Sequence, residues 1–250
     1  MTKERGFTLI ELVIVLALIG ISSVIGLRFI SDMAHSQVAS AERAQALAGA
    51  RFALERLRRE LSQAYSSSVQ ISAAQDCVSF VPVLGAGAYT GVVTSGAAHF
   101  ILPQGVAHSS LLSAYMAISA PSESAWQYYP GELPNNVMKI DKAPLELSLA
   151  KVAFSELFNG SSEFSADNAR GRYTLLSAHT VRYCVHGQQL RRSVNAQFSS
   201  ATEILMLDKL SHQQVFNYQQ DSRLLRVDLR LTTADGELVL VSQLQVNYEP

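Results

Sequence analysis

The chain has 250 residues, of which 48% are hydrophobic and 16% charged, and its formal net charge is −1. This length allows one sizeable domain or two small ones beside a membrane segment, and we expect one domain. Because acidic and basic residues nearly balance, the composition predicts no nucleic-acid partner, which would require a clustered basic excess.

An apolar segment begins shortly after the start of the chain. From Phe7 to Leu27 its only polar side chains are those of Thr8, Glu11, Ser22 and Ser23. As a helix this segment is about 31 Å long, which is enough to cross a bilayer core. A secretory signal peptide has a shorter apolar stretch and a cleavage site after it, whereas helix-forming sequence continues here. The sequence therefore predicts a transmembrane helix over residues 7–29 that stays with the protein.

Charges around this segment predict its orientation and a function. Lys3 and Arg5 precede the span, which favours a cytoplasmic N-terminus and places the rest of the chain outside the cytoplasm. Glu11 lies within the span, where a carboxylate costs a few kcal/mol and is usually functional. From the residues alone two explanations stay open. Either the carboxylate reaches the headgroups, or it pairs with a cation such as a new N-terminal α-ammonium.

The string Gly6-Phe7-Thr8-Leu9-Ile10-Glu11-Leu12 resembles the type III signal of type IV prepilins and type II secretion pseudopilins. The resemblance implies that residues 1–6 are a leader, which prepilin peptidase removes between Gly6 and Phe7 before it methylates Phe7. It also implies that Glu11 meets the mature N-terminus of a neighbouring subunit, so that its charge is neutralised only after assembly. The implied location is the bacterial inner membrane, with the C-terminal domain in the periplasm or in a pilus.

A second, amphipathic part of the helix is predicted over residues 30–66. Apolar side chains recur at spacings of three and four, which indicates one buried helix face. They are Leu47, Ala50, Leu54, Leu57, Leu61 and Ala64. The opposite face carries Glu42, Arg43, Arg51, Glu55, Arg58 and Arg59. Because the repeat is short and strand-like sequence follows, we expect the helix to pack on the chain's own sheet rather than in a coiled coil.

Residues 67–250 are predicted to form a β-rich domain. Short apolar or alternating runs bounded by turn residues indicate strands. They are Val78–Leu84, Ala98–Leu102, Val181–Val185, Leu224–Leu231 and Leu238–Val246. The last two flank a turn at Ala234–Glu237 and predict an antiparallel hairpin. Gly85–Gly91 is expected to be a flexible loop, and the elements between Ser119 and Asn168 are not assigned.

The chain has two cysteines, Cys77 and Cys184. An even number in a domain expected outside the cytoplasm predicts a disulfide, although two buried free thiols remain the alternative. A bridge of this loop length stabilises by roughly 4 to 5 kcal/mol in the chain-entropy model.

The segment Thr180–Arg192, a strand with a cysteine, a tight turn and a second strand, resembles larger minor members of the same family. These are minor pilins of the mannose-sensitive haemagglutinin pilus and J-type minor pseudopilins of type II secretion. Arg28 stands where major type IV pilins often have a proline, which argues against the principal filament subunit. The resemblance implies prepilin peptidase, other minor pilins or pseudopilins and the major pilin as partners.

The sequence contains no good match to the motifs considered for catalysis, metal binding or cofactor binding. The histidines are His35, His99, His108, His179, His186 and His212. They lack the spacing of helical zinc motifs, and Gly85–Gly91 does not match a dinucleotide fingerprint. We therefore expect no cofactor, no metal site and no enzymatic activity. Trp126, beside Tyr128 and Tyr129, is expected in ordinary core rather than in an aromatic contact surface.

Together these observations predict an α+β, pilin-like fold, in which a long N-terminal helix packs on antiparallel β-sheet. The predicted function is that of a minor pilin that primes or joins assembly of a type IV pilus. A minor pseudopilin of type II secretion is the alternative. An uncleaved bitopic protein with an exported binding or catalytic domain is the competing class.

Overall fold

The computed structural model describes residues 9–106, 108–119, 126, 129, 131–142, 151–159, 164–195 and 202–246. A single long helix, α1 (Leu9–Leu61), opens this part of the chain, and a 3-10 turn (Ser66–Ser68) follows it. Two short helices, α2 (His108–Leu112) and α3 (Phe154–Leu157), lie further along. The remaining elements are strands, so the predicted α+β class is confirmed.

In chain order the strands are β1 (Gln70–Ile71), β2 (Cys77–Phe80), β3 (Val83–Thr90), β4 (His99–Ile101), β5 (Tyr115–Ala117), β6 (Val137–Lys139), β7 (Val152–Ala153), β8 (Arg172–Leu176), β9 (Thr180–His186), β10 (Gln189–Asn195), β11 (Ile204–Leu207), β12 (Phe216–Gln219), β13 (Leu224–Thr233) and β14 (Gly236–Gln245). Pairing among the described strands is antiparallel throughout.

Three sheets result. The first sheet has the order β1-β2-β9-β10-β11, and the C-terminal sheet has the order β12-β13-β14. Leu210, three residues after the end of β11, forms an isolated bridge with Leu231 of β13. The inserted sheet, with the order β6-β5-β8-β3-β4-β7, is built from the chain between β2 and β9. The chain thus leaves the first sheet after Phe80 and returns to it at Thr180.

The C-terminal half of α1 packs on the chain's own sheets, as predicted. Its buried residues are Ala50, Ala53, Leu57 and Leu61, with Leu47 and Leu54 partly buried beside them. The helix contacts β11, β13 and β14. A continuous core therefore forms between this helix face and the inner faces of the first and C-terminal sheets, and the predicted apolar stripe is confirmed.

The helix ends at Leu61, short of the predicted boundary at residue 66. Beyond it the backbone pairs with the start of the insertion, because Ala64 bridges Pro82 and Tyr65 N donates to Val81 O at 2.9 Å. The backbone groups of these residues are therefore satisfied by strand pairing instead of by a further helical turn.

The inserted sheet has core on both faces. One face packs on a cluster that includes Phe100, Phe158 and Tyr173. The other face packs on Tyr65, Tyr115, Trp126 and Tyr129, which lie at the end of α1. Trp126 is 4% exposed, so the prediction of ordinary core is confirmed for this residue, and Tyr129 is also buried, at 7% exposed. Tyr128 lies outside the described residues.

Two predictions about β3 are wrong. Val78–Leu84 is not one strand, because Pro82 separates β2 from β3 and proline cannot donate to a sheet ladder. The expected loop at Gly85–Gly91 is strand up to Thr90. Its glycines serve close packing: a Cβ on Gly87 would collide with the Tyr173 hydroxyl, which donates to Ile101 O at 2.7 Å.

The other strand predictions hold. β13 and β14 form the expected hairpin, with Ala234 and Asp235 between them and Gly236 at a φ of 119°. β9 and β10 flank a tight turn in which Gly187 has a φ of 64°. In the unassigned region the structure forms β6, β7 and α3, and residues 120–125, 127–128, 130, 143–150 and 160–163 of that region lie outside the described part.

Candidate functional site

The N-terminal part of α1 is an exposed apolar helix. Each large hydrophobic side chain from Leu9 to Ile30 is exposed, and Leu9 itself is 82% exposed. An 18-residue window here has a mean hydropathy of 2.6. Such a continuous apolar surface requires cover by lipid or by other helices. By length and composition the helix is consistent with a membrane anchor.

Glu11 interrupts this apolar surface. It is exposed in the first turn of α1, and it is the only charged side chain between Leu9 and Leu27. The next charged side chain along the helix is Arg28, about 25 Å further along the axis. No ion pair in the described part of the chain involves Glu11. Gly6 and Phe7, the predicted cleavage and methylation residues, lie outside the described residues.

The C-terminal half of α1 is fixed to the sheets by a charged network centred on Glu60. Arg192 Nε and the Tyr183 hydroxyl each donate to Oε2 of Glu60 at 2.9 Å. Arg56 Nε donates to Oε1 at 3.2 Å. Because the side chain of Arg192 is only 12% exposed, this contact is screened less than a surface ion pair. The network joins the helix to β9 and β10.

Tyr183 belongs to the same network. Burial raises the pKa of its hydroxyl, and the negative charge of Glu60 raises that pKa further. The hydroxyl therefore stays protonated and keeps donating to Glu60 at neutral pH.

A second charged contact joins α1 to the sheets nearer its exposed half. Lys209, which follows β11, pairs with Glu42. The hydrogen bond and the positive charge of Lys209 lower the pKa of the Glu42 carboxyl. Both side chains are partly exposed, so the pair orients the helix more than it stabilises the fold. Glu60 and Glu42 thus set the direction in which the apolar half of α1 projects from the globular part.

Cys77 and Cys184 are joined by a disulfide. They are direct register partners on β2 and β9, and their Cα atoms are 4.1 Å apart. This spacing is that of a non-hydrogen-bonded antiparallel pair. The bridge lies at the end of the β2–β9 pair that is remote from the insertion, three residue pairs from Phe80 and Val181, and it cross-links the two strands between which the insertion runs. The alternative of two free thiols is wrong.

Within the described ranges, no group of three or more His, Cys, Asp or Glu side chains is arranged to hold a metal ion. His186 Nε2 lies 3.4 Å from Glu203, and both side chains are well exposed. Glu203 also lies 3.7 Å from Arg191, which makes this a solvated surface network.

Sequence reasoning found Glu11 but missed the network at Glu60. The sequence pattern predicts only that Arg192 ends a strand, and Arg192 is 132 positions from Glu60. Glu60 lies beside the predicted apolar stripe, which was the one available signal that it faces the sheet.

Residues 1–27 match the family model described as the prokaryotic N-terminal methylation motif. Comparisons with curated proteins and with solved structures find no match to the chain. The motif and the long apolar helix packed on antiparallel sheets support a type IV pilin or pseudopilin-like protein.

Proposed function

We propose that this chain is a minor pilin that primes or joins the assembly of a type IV pilus of the mannose-sensitive haemagglutinin kind, as an MshO-type subunit. The observation that carries the proposal is the methylation motif at residues 1–27, followed by an exposed apolar helix with a single carboxylate at Glu11. A J-type minor pseudopilin of type II secretion is the second candidate, because the same motif is expected in both classes.

In this proposal prepilin peptidase cleaves between Gly6 and Phe7 and methylates Phe7. The helix holds the subunit in the inner membrane, with the β-rich domain in the periplasm. During assembly Glu11 meets the N-terminal ammonium group of a neighbouring subunit, so two charges that are costly in an apolar surrounding neutralise each other. The protein acts through contacts with other subunits and not as an enzyme.

The intact mass of the protein extracted from membranes tests the processing step. The pilin-class proposal requires loss of residues 1–6 and gain of one methyl group. A chain that keeps Met1 and carries no methyl group would support the uncleaved bitopic alternative instead.

Replacement of Glu11 tests the assembly step. We expect Glu11→Val to be processed and to stay in the membrane, while its recovery in sheared filaments falls at least tenfold, because the neighbour's ammonium group loses its partner. Glu11→Asp keeps the charge and is the matched control. Equal recovery of Glu11→Val and wild type would contradict the charge-pairing step.

A count of surface filaments separates the two candidate machines. A strain that lacks this chain should lose its filaments and regain them on complementation if the protein primes a pilus. Undiminished filaments together with reduced export of secreted enzymes would favour the type II secretion pseudopilin.

A further inference from the structure

β14 differs from the other strands at sheet ends. It is the last strand of the C-terminal sheet and is 10 residues long. The other end strands of the three sheets are β1, β6, β7, β11 and β12, which have between two and four residues each. Short end strands limit unwanted pairing with other chains, whereas a long end strand offers a template for it.

The pairing with β13 shows which backbone groups of β14 face the free edge. Val246 N donates to Arg223 O, so Arg223 and Val246 form a hydrogen-bonded pair. Along the ladder from this point, non-hydrogen-bonded and hydrogen-bonded pairs of β13 and β14 alternate. Val239, Val241, Gln243 and Gln245 consequently direct their N–H and C=O groups away from β13. Among the described residues, no backbone group hydrogen-bonds to this edge.

The sequence of β14 has few of the usual protections of an edge, and its one charged side chain is Glu237, next to the turn. Between Gly236 and Gln245 there is no lysine, arginine or proline, and the register with β13 runs without a bulge. Val239 and Val241 are 49% and 51% exposed on the outer face. From Leu238 to Gln245 no side chain is charged. The edge therefore suits an uncharged strand with apolar side chains at alternate positions.

We propose that β14 pairs with an extended, uncharged strand of a neighbouring subunit, which continues the C-terminal sheet across the interface. This inference rests on the proposed assembly function and names the surface through which the globular part takes part in it. Main-chain hydrogen bonds at Val239, Val241, Gln243 and Gln245 supply the pairing, and the two exposed valines select apolar side chains opposite them.

Hydrogen–deuterium exchange with residue-level fragmentation tests the pairing directly. In the detergent-solubilised full chain, the amides of Val239, Val241 and Gln243 should exchange rapidly, while those of Leu238, Leu240 and Leu244 are protected by β13. In the assembled complex the first group should exchange at least tenfold more slowly. Unchanged exchange of these edge amides after assembly would overturn the proposal.

A charged substitution on the edge provides the second test. Val241→Lys should lower incorporation into the complex at least tenfold without changing the thermal unfolding of the solubilised chain, because a lysine blocks an edge while the strand stays paired to β13. Asn217→Lys is the matched control, since Asn217 is exposed on β12 at the opposite end of the same sheet. Equal incorporation of both variants would overturn the proposal.

A photocrosslinking residue at position 241 identifies the occupant. Crosslinks that map to an extended segment of another subunit support the proposal. Crosslinks to a helix or to lipid overturn it. Intact mass is recorded on the same samples, so a failure of leader cleavage and methylation, which concerns the proposed function, is distinguished from a failure of strand pairing.

Discussion

The Glu60 carboxylate joins α1 to the first sheet through hydrogen bonds and charge. It accepts hydrogen bonds from Arg192, Tyr183 and Arg56, and its side chain is 22% exposed. We expect Glu60→Gln to lower the free energy of unfolding by about 2 to 3 kcal/mol, because the partly buried Arg192 guanidinium loses its counter-charge. Urea unfolding of the full chain in detergent measures this loss.

Glu55→Gln is the control for this substitution. Glu55 is exposed on the same helix, on the side away from the sheets, so the same chemical change there should alter stability by no more than about 0.5 kcal/mol. If both variants lose equal stability, the loss comes from helix propensity or net charge and not from the contact with Arg192.

Gly87 is the residue whose missing side chain matters most in β3. A Cβ at this position would meet the Tyr173 hydroxyl and the Ile101 carbonyl, which hydrogen-bond to each other. We expect Gly87→Ala to cost about 2 to 4 kcal/mol, through overpacking and loss of that hydrogen bond. Ala88→Val adds atoms to the exposed face of the same strand and should leave stability nearly unchanged in the same unfolding measurement. A cost for Ala88→Val as large as that for Gly87→Ala would contradict this explanation.

The two faces of helix α1 differ in burial, as its apolar periodicity predicts. Leu57 is 1% exposed against the sheets, whereas Phe52, on the other side of the helix, is 58% exposed. We expect Leu57→Ala to lower the free energy of unfolding by about 2 to 5 kcal/mol through lost burial and a residual cavity. Phe52→Ala removes a larger side chain and should cost less than about 1 kcal/mol. The opposite order in thermal or urea unfolding would show that this helix face does not support the core.

Elements with one buried face could be predicted from the sequence, whereas strands buried on both faces could not. The stripe of α1 and the hairpin β13–β14 have one buried face each, so their apolar residues follow the periods of a helix and a half-buried strand. β5 and β8 lie inside the inserted sheet and are covered on both faces, and Leu175 and Leu176 enter different cores. Such strands show no alternation of apolar and polar residues, so the period-2 pattern that predicts a half-buried strand is absent from them.

In the candidate site, too, one part could be predicted from the sequence and another could not. Glu11 was predictable because a lone carboxylate in an apolar segment is conspicuous in any one sequence. The network at Glu60 was not, because it joins α1 to β9 and β10 across more than a hundred residues and depends on how the sheet folds over the helix. The expectation of a loop at Gly85–Gly91 failed because glycine marks close packing as well as turns.

At the scale of the whole molecule, buried tyrosines lie in each of the three hydrophobic clusters of the described residues. Burial raises the pKa of Tyr65 to about 12. Burial also raises the pKa of Tyr129, Tyr173 and Tyr183, with the charge of Glu60 adding to the effect at Tyr183. In the unfolded chain these hydroxyls ionise near their ordinary pKa of about 10. The folded state thus keeps protons that the unfolded state releases.

This difference predicts alkaline unfolding of the protein. Below about pH 10 the stabilisation is fully present, and it is lost as the pH rises toward the folded-state pKa values. Each such tyrosine contributes a slope of about 1.4 kcal/mol per pH unit, so the four together contribute about 5 kcal/mol per unit. Since a typical domain is stable by only about 5 to 15 kcal/mol, we expect cooperative unfolding between about pH 11 and 12.

Urea unfolding at a series of pH values measures the slope. Tyr65→Phe removes one titrating group and should reduce the slope above pH 10 by about a quarter, or roughly 1.4 kcal/mol per unit. Its hydroxyl makes a 3.4 Å contact with Ser119 O and a hydrogen bond with the Ser67 side chain, so stability near pH 8 should fall by no more than about 1 kcal/mol. A stability that stays level through pH 11, or a slope unaffected by Tyr65→Phe, would show that these hydroxyls ionise within the folded protein and that the aromatic cluster at the end of α1 admits water.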